Sequence, residues 1–379
     1  MWDLAIVGAG PAGSAAALGA LTANPRLRVA LLDRADFPRD KSCGDGIAPH
    51  VLDVLNGVGV SGLLDDWRPV RRLRLERADV TTLRDMARPA WVVPRTVFDA
   101  RLVGAAVRAG AQLRRIRVKT VDVGADGVRL GTDVSARVVI GADGAHSVVR
   151  SAMGMTRVRR RALAMRGYAP TPPARAGQQI IVFSETRQPS YAWSFDRGDG
   201  LANVGYGELL RKGRAPLTRA ELLQRLESLL PGATAGGEQW LGHHLPLSPW
   251  RWQQADGRVL LVGDAAGLIN PVTGEGIYYA VATGVLAGRS AAAALGTGDP
   301  DSAGRRHRVG VRSLLGRHLR HTAAASRLVS VPAAVERCLR AATHDQQVFD
   351  DLVEIGLGRG LITRRVVSTI LRDPRTSTP

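Results

Sequence analysis

Residues 2–7 (WDLAIV) form a nearly unbroken apolar run, the pattern of a strand buried on both faces in a parallel sheet. An Ala-rich stretch from Pro11 to about Ala23 reads as a helix stopped by Asn24-Pro25, and a second apolar run, 27–32, ends at Asp33. Two later runs repeat the design: one leads into Gly141-Ala142-Asp143-Gly144 and the other, from 259, into Gly263-Asp264. A helix is predicted to begin near Ile277. Between these runs, 178–183 and 201–207 read as strands. Alternation over 191–195 puts Tyr191, Trp193 and Phe195 on one strand face, a pattern that by itself fits ordinary core packing as well as the wall of an apolar tunnel. Residues 301–379 look helical; 335–355 keeps helical apolar spacing until Gly-rich 356–360 breaks it, and 373–379 is expected to be disordered.

The chain has 379 residues, 45% apolar and 23% charged, enough for two or three globular domains. Its formal net charge is +18, which raises nucleic-acid binding as a question. Only three of the 52 basic residues are lysines (Lys41, Lys119, Lys212), and the arginines are scattered without a basic block. That distribution reads as a solvated, Arg-rich surface and argues against nucleic acid. Such a surface also suits peripheral contact with anionic lipid. Two cysteines, Cys43 and Cys338, exclude a disulfide framework and a Cys-based zinc site and suit a reducing cytoplasm. Residues 1–20 lack the basic start of a signal peptide, and Arg289 interrupts the apolar stretch 277–296, so no spanning helix is expected. The eight histidines show no metal or triad spacing, so no metal site is expected.

Gly8-Ala9-Gly10-Pro11-Ala12-Gly13 lies between strand and helix, the context that gives a dinucleotide fingerprint its meaning. Gly8 permits the turn, Gly10 leaves room for a pyrophosphate, and Gly13 lets helix and strand approach; Ala12 lies at the helix N-terminus. Asp33, with Arg34 beside it, follows Gly13 by 20 residues, where an acid accepts from an adenosine ribose. A carboxylate there would repel a 2′-phosphate, leaving NAD or FAD. The later motifs also sit at carboxyl ends of strands, where open α/β sheets bind ligands. Asp264 could accept from a ribityl hydroxyl. The backbone of Gly274, Gly276 and Ile277 could face a flavin pyrimidine edge. Asp143 reads equally as a ligand contact or a helix cap.

GxGxxG, then GADG, then GDAAG at this spacing resembles the FAD-binding fold of aromatic hydroxylases, flavin-dependent halogenases and the geranylgeranyl reductase family, over about residues 1–290. The resemblance implies that Arg95, in VPRTVFDARL, lies along the FAD. Lys41-Ser42-Cys43-Gly44-Asp45-Gly46 is similar to the reductases' CGxG loop, which implies Cys43 and Gly44 beside the isoalloxazine ring. Tyr191-Ala192-Trp193-Ser194-Phe195, with Val204-Gly205-Tyr206-Gly207 after it, is similar to their YxWxFP pattern, although Asp196 stands where proline is expected. There is no WxWxIP segment, second GxGxxG or Cys redox pair.

The implied fold class is α/β. A Rossmann-like FAD-binding domain (1–70, 95–165 and 245–300) would carry an inserted antiparallel-sheet substrate domain (71–94 and 166–244) and a C-terminal helical region (301–379). The implied activity is an FAD-dependent reduction of C=C bonds in an isoprenoid or related apolar substrate. Cys43 would tune the ring or assist proton delivery, and Tyr191 and Trp193 would shape the substrate channel. NAD(P)H or reduced ferredoxin would donate electrons transiently. The rival is an FAD monooxygenase (a hydroxylase) or halogenase, which shares every FAD motif.

Overall fold

The structure is a computed structural model and describes residues 1–155, 160–186, 189–211, 213 and 215–371; the tail 373–379 lies outside them. The chain begins with β1 (Trp2–Val7), α1 (Pro11–Ala23), β2 (Val29–Asp33), β3 (Gly46–Ile47) and α2 (Pro49–Asn56). It continues as β4 (Val70–Arg77), β5 (Val80–Val92), α3 (Arg95–Arg108), β6 (Gln112–Arg115), β7 (Val121–Val123), β8 (Val128–Leu130), β9 (Val134–Gly141) and α4 (Val148–Ala152). Next come β10 (Arg161–Pro170), β11 (Gln178–Phe183), β12 (Ser190–Asp196), β13 (Leu201–Leu209), α5 (Arg219–Leu229), β14 (Glu238–Pro246) and β15 (Val259–Leu261). Helices close the chain: α6 (Ile277–Gly296), α7 (Ala303–Leu328), α8 (Pro332–His344), α9 (Gln346–Leu357) and α10 (Arg364–Leu371).

One sheet has the order β6-β2-β1-β9-β8-β7, with β15 also paired to β9. Its centre is parallel, and β7 and β8 add an antiparallel edge. The apolar runs of β1 and β9 are buried on both faces, against α1, α3 and α6 on one side and the 118–153 segment on the other. β2 and β9 flank β1, so the loop after β1 leaves the sheet where strand order reverses, the place such sheets bind ligands. Helices α1 and α6 meet almost backbone to backbone: a Cβ on Gly288 would lie 2.0 Å from the Ala16 carbonyl oxygen. That contact brings the start of α6 beside the loop after β1.

The second sheet has the order β14-β10-β13-β12-β11-β4-β5-β3. The expected antiparallel sheet needs one correction, because β11 pairs with β4 in parallel. These strands come from distant chain segments, so no hairpin constrains their direction. Helices α8 and α9 pack on β4 and β5 through Val335, Leu339 and Phe349 against Leu73 and Leu75. The single helical stretch expected over 335–355 is two helices. Asp345 separates them and caps the second by accepting from the Gln347 and Val348 amides.

Candidate functional site

One cavity of about 1010 Å³ runs from the carboxyl ends of β1, β2, β9 and β15, across the face of the second sheet, to the C-terminal helices. At the first end Gly8 has φ +100°, and a Cβ there would lie 2.4 Å from the Ala142 carbonyl oxygen. Gly13 is turned away from the cavity and packs on the Gly8 carbonyl, where a Cβ would come within 1.8 Å. Gly10 points into the space: its Cβ would face Arg39 Nη2 at 3.3 Å and Arg95 Nη2 at 3.9 Å. Helix α1 starts with proline and has no side-chain cap, so its first amides stay open to an anion. Asp33 accepts from the Ala9 amide at 2.9 Å and tethers this loop to β2. Arg34 is exposed at the rim. Arg39 stretches over the cleft, 3.5 Å from Asp33 and 3.6 Å from Asp99. A glycine cradle, an uncapped helix start, an acid and two arginines fit the phosphates and ribose of a dinucleotide.

In the middle of the cavity Lys41 Nζ donates to Asp264 Oδ2 at 3.0 Å. Burial pushes the Asp264 carboxyl up, but the charge and hydrogen bond of Lys41, with His243 and Arg95 beyond it, outweigh burial and the net shift is downward. Arg95 makes two bonds to Asp99, at 2.6 and 2.8 Å. Asp143 lines the cavity but acts as a cap: its Oδ2 accepts from the Val148 and Val149 amides. Arg150 clamps two motifs together by donating to the carbonyls of Ala145 and Ala265. Cys43 is half-buried and free of disulfide. Burial raises its thiol above the usual range against the opposing charge of Arg95, so it keeps its proton at neutral pH.

The far arm is apolar. Tyr191, Trp193 and Phe195 line it from one face of β12, with ring centroids 5.9 and 6.3 Å apart in sequence. The Tyr191 hydroxyl donates to the Thr273 carbonyl and joins this strand to the 270–277 loop. Buried Asn203 is the hub behind them: it accepts from Trp193 Nε1 at 2.8 Å and donates to the Cys43 carbonyl at 2.8 Å and to Asp45 Oδ2 at 2.9 Å. The Tyr168 hydroxyl donates to the same Asp45 oxygen. Burial lifts Asp45 to about 6, with those two bonds opposing it. Beyond the aromatics, Phe183, Leu75, Val335, Cys338 and Val366 line the end of the arm.

Of the residues given a cofactor or substrate role from the sequence, all but Gly13 line this cavity: Gly8, Gly10, Ala12, Asp33, Arg34, Lys41, Cys43, Gly44, Arg95, Tyr191, Trp193, Asp264, Gly274, Gly276 and Ile277. Four residues were given no role from the sequence: Arg39, Asp45, Asn203 and Glu275. Glu275 stands between Gly274, at φ +75°, and Gly276, lines the cavity, and accepts from the Tyr278 amide at 2.9 Å. Burial raises its carboxyl to about 7, although the Tyr278 and Ile277 amides and Arg95 pull the other way. Among the described residues no cluster of His, Cys, Asp and Glu could hold a metal ion, and no helix is long and apolar enough to cross a membrane.

The sequence family described as FAD binding domain matches residues 1–303. A menaquinone reductase from Mycolicibacterium smegmatis is 35% identical over 313 residues, 75% of this chain and 75% of that protein. A digeranylgeranylglycerophospholipid reductase from Methanothrix thermoacetophila is 30% identical over 340 residues, 84% of this chain and 85% of that one. A solved structure of a geranylgeranyl bacteriochlorophyll reductase-like protein from Thermoplasma acidophilum superposes with a TM-score of 0.81 at 19% identity, covering 99% of this chain and 97% of that one, a likeness of fold.

Proposed function

The chain belongs to the FAD-binding-domain family and, within it, to the geranylgeranyl reductase group of FAD-dependent oxidoreductases, and from that premise we propose that it saturates C=C bonds of an isoprenoid chain. The observation that carries this reading is the single cavity that joins a dinucleotide cradle to an apolar arm under the C-terminal helices. The relatives' names agree with it, since geranylgeranyl chains are isoprenoid.

Gly8, Gly10, Ala12 and the start of α1 would hold the FAD pyrophosphate, with Arg39 and Arg95 above it. Asp33 would take the adenosine ribose and Asp264 a ribityl hydroxyl. The 274–277 backbone would face the pyrimidine edge. Bound and reduced, FAD supplies the hydride. Tyr191, Trp193 and Phe195 would line the channel that holds the chain and would exclude water from it. Glu275 holds the proton that the other carbon receives, from a carboxyl kept neutral at pH values where an ordinary glutamate is ionised. Cys43 sits at the same wall as a neutral thiol, between Arg95 and the Asp45 amide. The division into an FAD domain, a sheet domain over the flavin and a helical tail closing the arm belongs to this reading. So do NAD(P)H or reduced ferredoxin as donor and peripheral contact with a membrane. Turnover with and without oxygen, followed by mass analysis, tests it: a product gaining two hydrogens per bond in both conditions supports a reductase, and a product that forms only with oxygen and gains one oxygen or a halogen refutes it in favour of the oxygen-using relatives of this fold.

A further inference from the structure

Helix α10 carries apolar side chains on two sides. Val366 and Ile370 line the far end of the apolar arm. Val367 and Leu371, one turn apart, are 43% and 76% exposed. A helix that only roofs a cavity needs apolar residues on its inner side alone. The turn between α7 and α8 repeats this arrangement: Leu328 and Val329 line the arm, and Val331 is 48% exposed. Arg337 of α8 donates to the Ile370 carbonyl at 2.8 Å, so the turn and α10 flank the same end of the arm. Exposed Trp250 joins them, with the Arg327 guanidinium of α7 over its ring at 5.9 Å.

The charge around these side chains is of one sign. Residues 302–335 and 355–371 contain no Asp or Glu. Arg317, Arg320, Arg327, Arg364 and Arg365 are exposed, and none of them pairs with a carboxylate among the described residues. His321 of α7 accepts from the Ile362 amide at 3.0 Å, which brings the helix turn of Arg317 and Arg320 beside the start of α10. Two acids touch this corner: Glu336 is held by Arg77 at 3.1 Å, and Asp351 accepts from the Thr363 hydroxyl at 2.6 Å. Exposed apolar tips set among unpaired arginines suit a surface that is both anionic and apolar. Lipid phosphates take the guanidinium groups, and the acyl boundary below them takes the apolar tips. A polyanion without an apolar layer would answer the arginines alone.

We propose that α10, the 329–331 turn and Trp250 dock this corner of the molecule on an anionic lipid bilayer. Peripheral membrane contact thereby gains a defined face. The proposal rests on the reductase reading only for what the bilayer supplies, an isoprenoid chain delivered to the end of the arm beside α10.

Flotation of the FAD-loaded protein with lipid vesicles tests it, comparing phosphatidylcholine alone with an equal mixture of phosphatidylcholine and phosphatidylglycerol. The protein should float with the mixed vesicles, less so as salt rises, and only weakly with phosphatidylcholine. Replacing Arg364→Gln and Arg365→Gln together should weaken binding about thirty-fold, about five-fold for each cation. Val367→Glu and Val331→Glu should each weaken it about ten-fold or more. Leu113→Glu makes the same charge change at an exposed residue of β6 in the other sheet, and should change binding by less than about three-fold. All these side chains are exposed, so thermal melts should not move. No flotation with the mixed vesicles, or losses no larger than that of Leu113→Glu, would overturn the proposal. Binding that falls with the arginine pair but with neither valine would also overturn it, and would assign the surface to an acidic macromolecule. Flotation needs no turnover, so it gives its answer even if the chain does not reduce isoprenoids.

Discussion

Replacing Glu275 by glutamine separates proton delivery from everything else the residue does. The carboxyl lies at about 7 against an ordinary 4.5. That rise corresponds to on the order of 3 kcal/mol in favour of the neutral acid. At pH 7 an ordinary glutamate is ~0.3% protonated, and this one is about half protonated, a gain on the order of a hundred-fold in acid ready to donate. Because the neutral form is the active one, kcat for C=C reduction should be flat in acid and fall as pH rises through about 7. Glutamine keeps a carbonyl oxygen to accept from the Tyr278 amide, so below pH ~4.5, where the glutamate is neutral in both folded and unfolded chains, stability should change by less than ~1 kcal/mol. Without a dissociable proton, Glu275→Gln should lower kcat by about 10²–10³. Its residual rate should have no inflection near 7, and reduction of the flavin by the donor should change by less than about three-fold. Stopped-flow measurement of the two half-reactions across pH 5.5–9 reads both. A variant that keeps the wild-type rate, or keeps the inflection near 7, would refute the assignment. The same shift acts on folding. The folded carboxyl is raised, so its stabilising contribution is full below pH ~4.5 and is lost as pH rises to about 7.

Other outcomes follow from packing. Asn203→Ala strips partners from the buried Trp193 N–H, the Cys43 carbonyl and Asp45 at once, so denaturant melts should show a loss of roughly 2–4 kcal/mol. Gly288→Leu would drive a side chain into the backbone of Ala16 and Ala20; it should cost at least ~3 kcal/mol and weaken flavin retention, read by thermal melts and released FAD fluorescence. Cys338→Trp narrows the far apolar arm and should raise KM for long prenyl chains ten-fold or more while sparing short ones, whereas equal effects on both would argue that the arm does not hold the chain.

Where the chemistry needs a particular backbone, the residue order shows it. Gly8 and Gly13 could be assigned roles at once, because a Cβ at either would overlap its neighbours. The alternation of Tyr191, Trp193 and Phe195 survives as a shared cavity wall, because β12 is an unbroken strand. Long-range partners were not legible. Asn203 reads as one polar residue in a buried strand, and only folding brings the 43–45 loop, some 160 residues earlier, onto its amide. Glu275 lay within a loop valued for its glycines; its importance comes from burial, which spacing does not encode. Arg39 sits in a turn whose reach over Gly10 depends on how that turn folds back. The parallel β4–β11 pair was invisible for the same reason, since its two strands are joined through the other sheet. At Asp345 local chemistry outweighed periodicity: an aspartate able to accept from two amides begins a new helix inside a continuous apolar pattern.

The most direct measurement is the mass of a prenyl substrate turned over by the FAD-loaded, chemically reduced protein with and without oxygen. A product heavier by two hydrogens per double bond, formed as readily without oxygen as with it, is expected. A product that appears only with oxygen and carries an added oxygen atom would contradict the reduction chemistry assigned to this cavity.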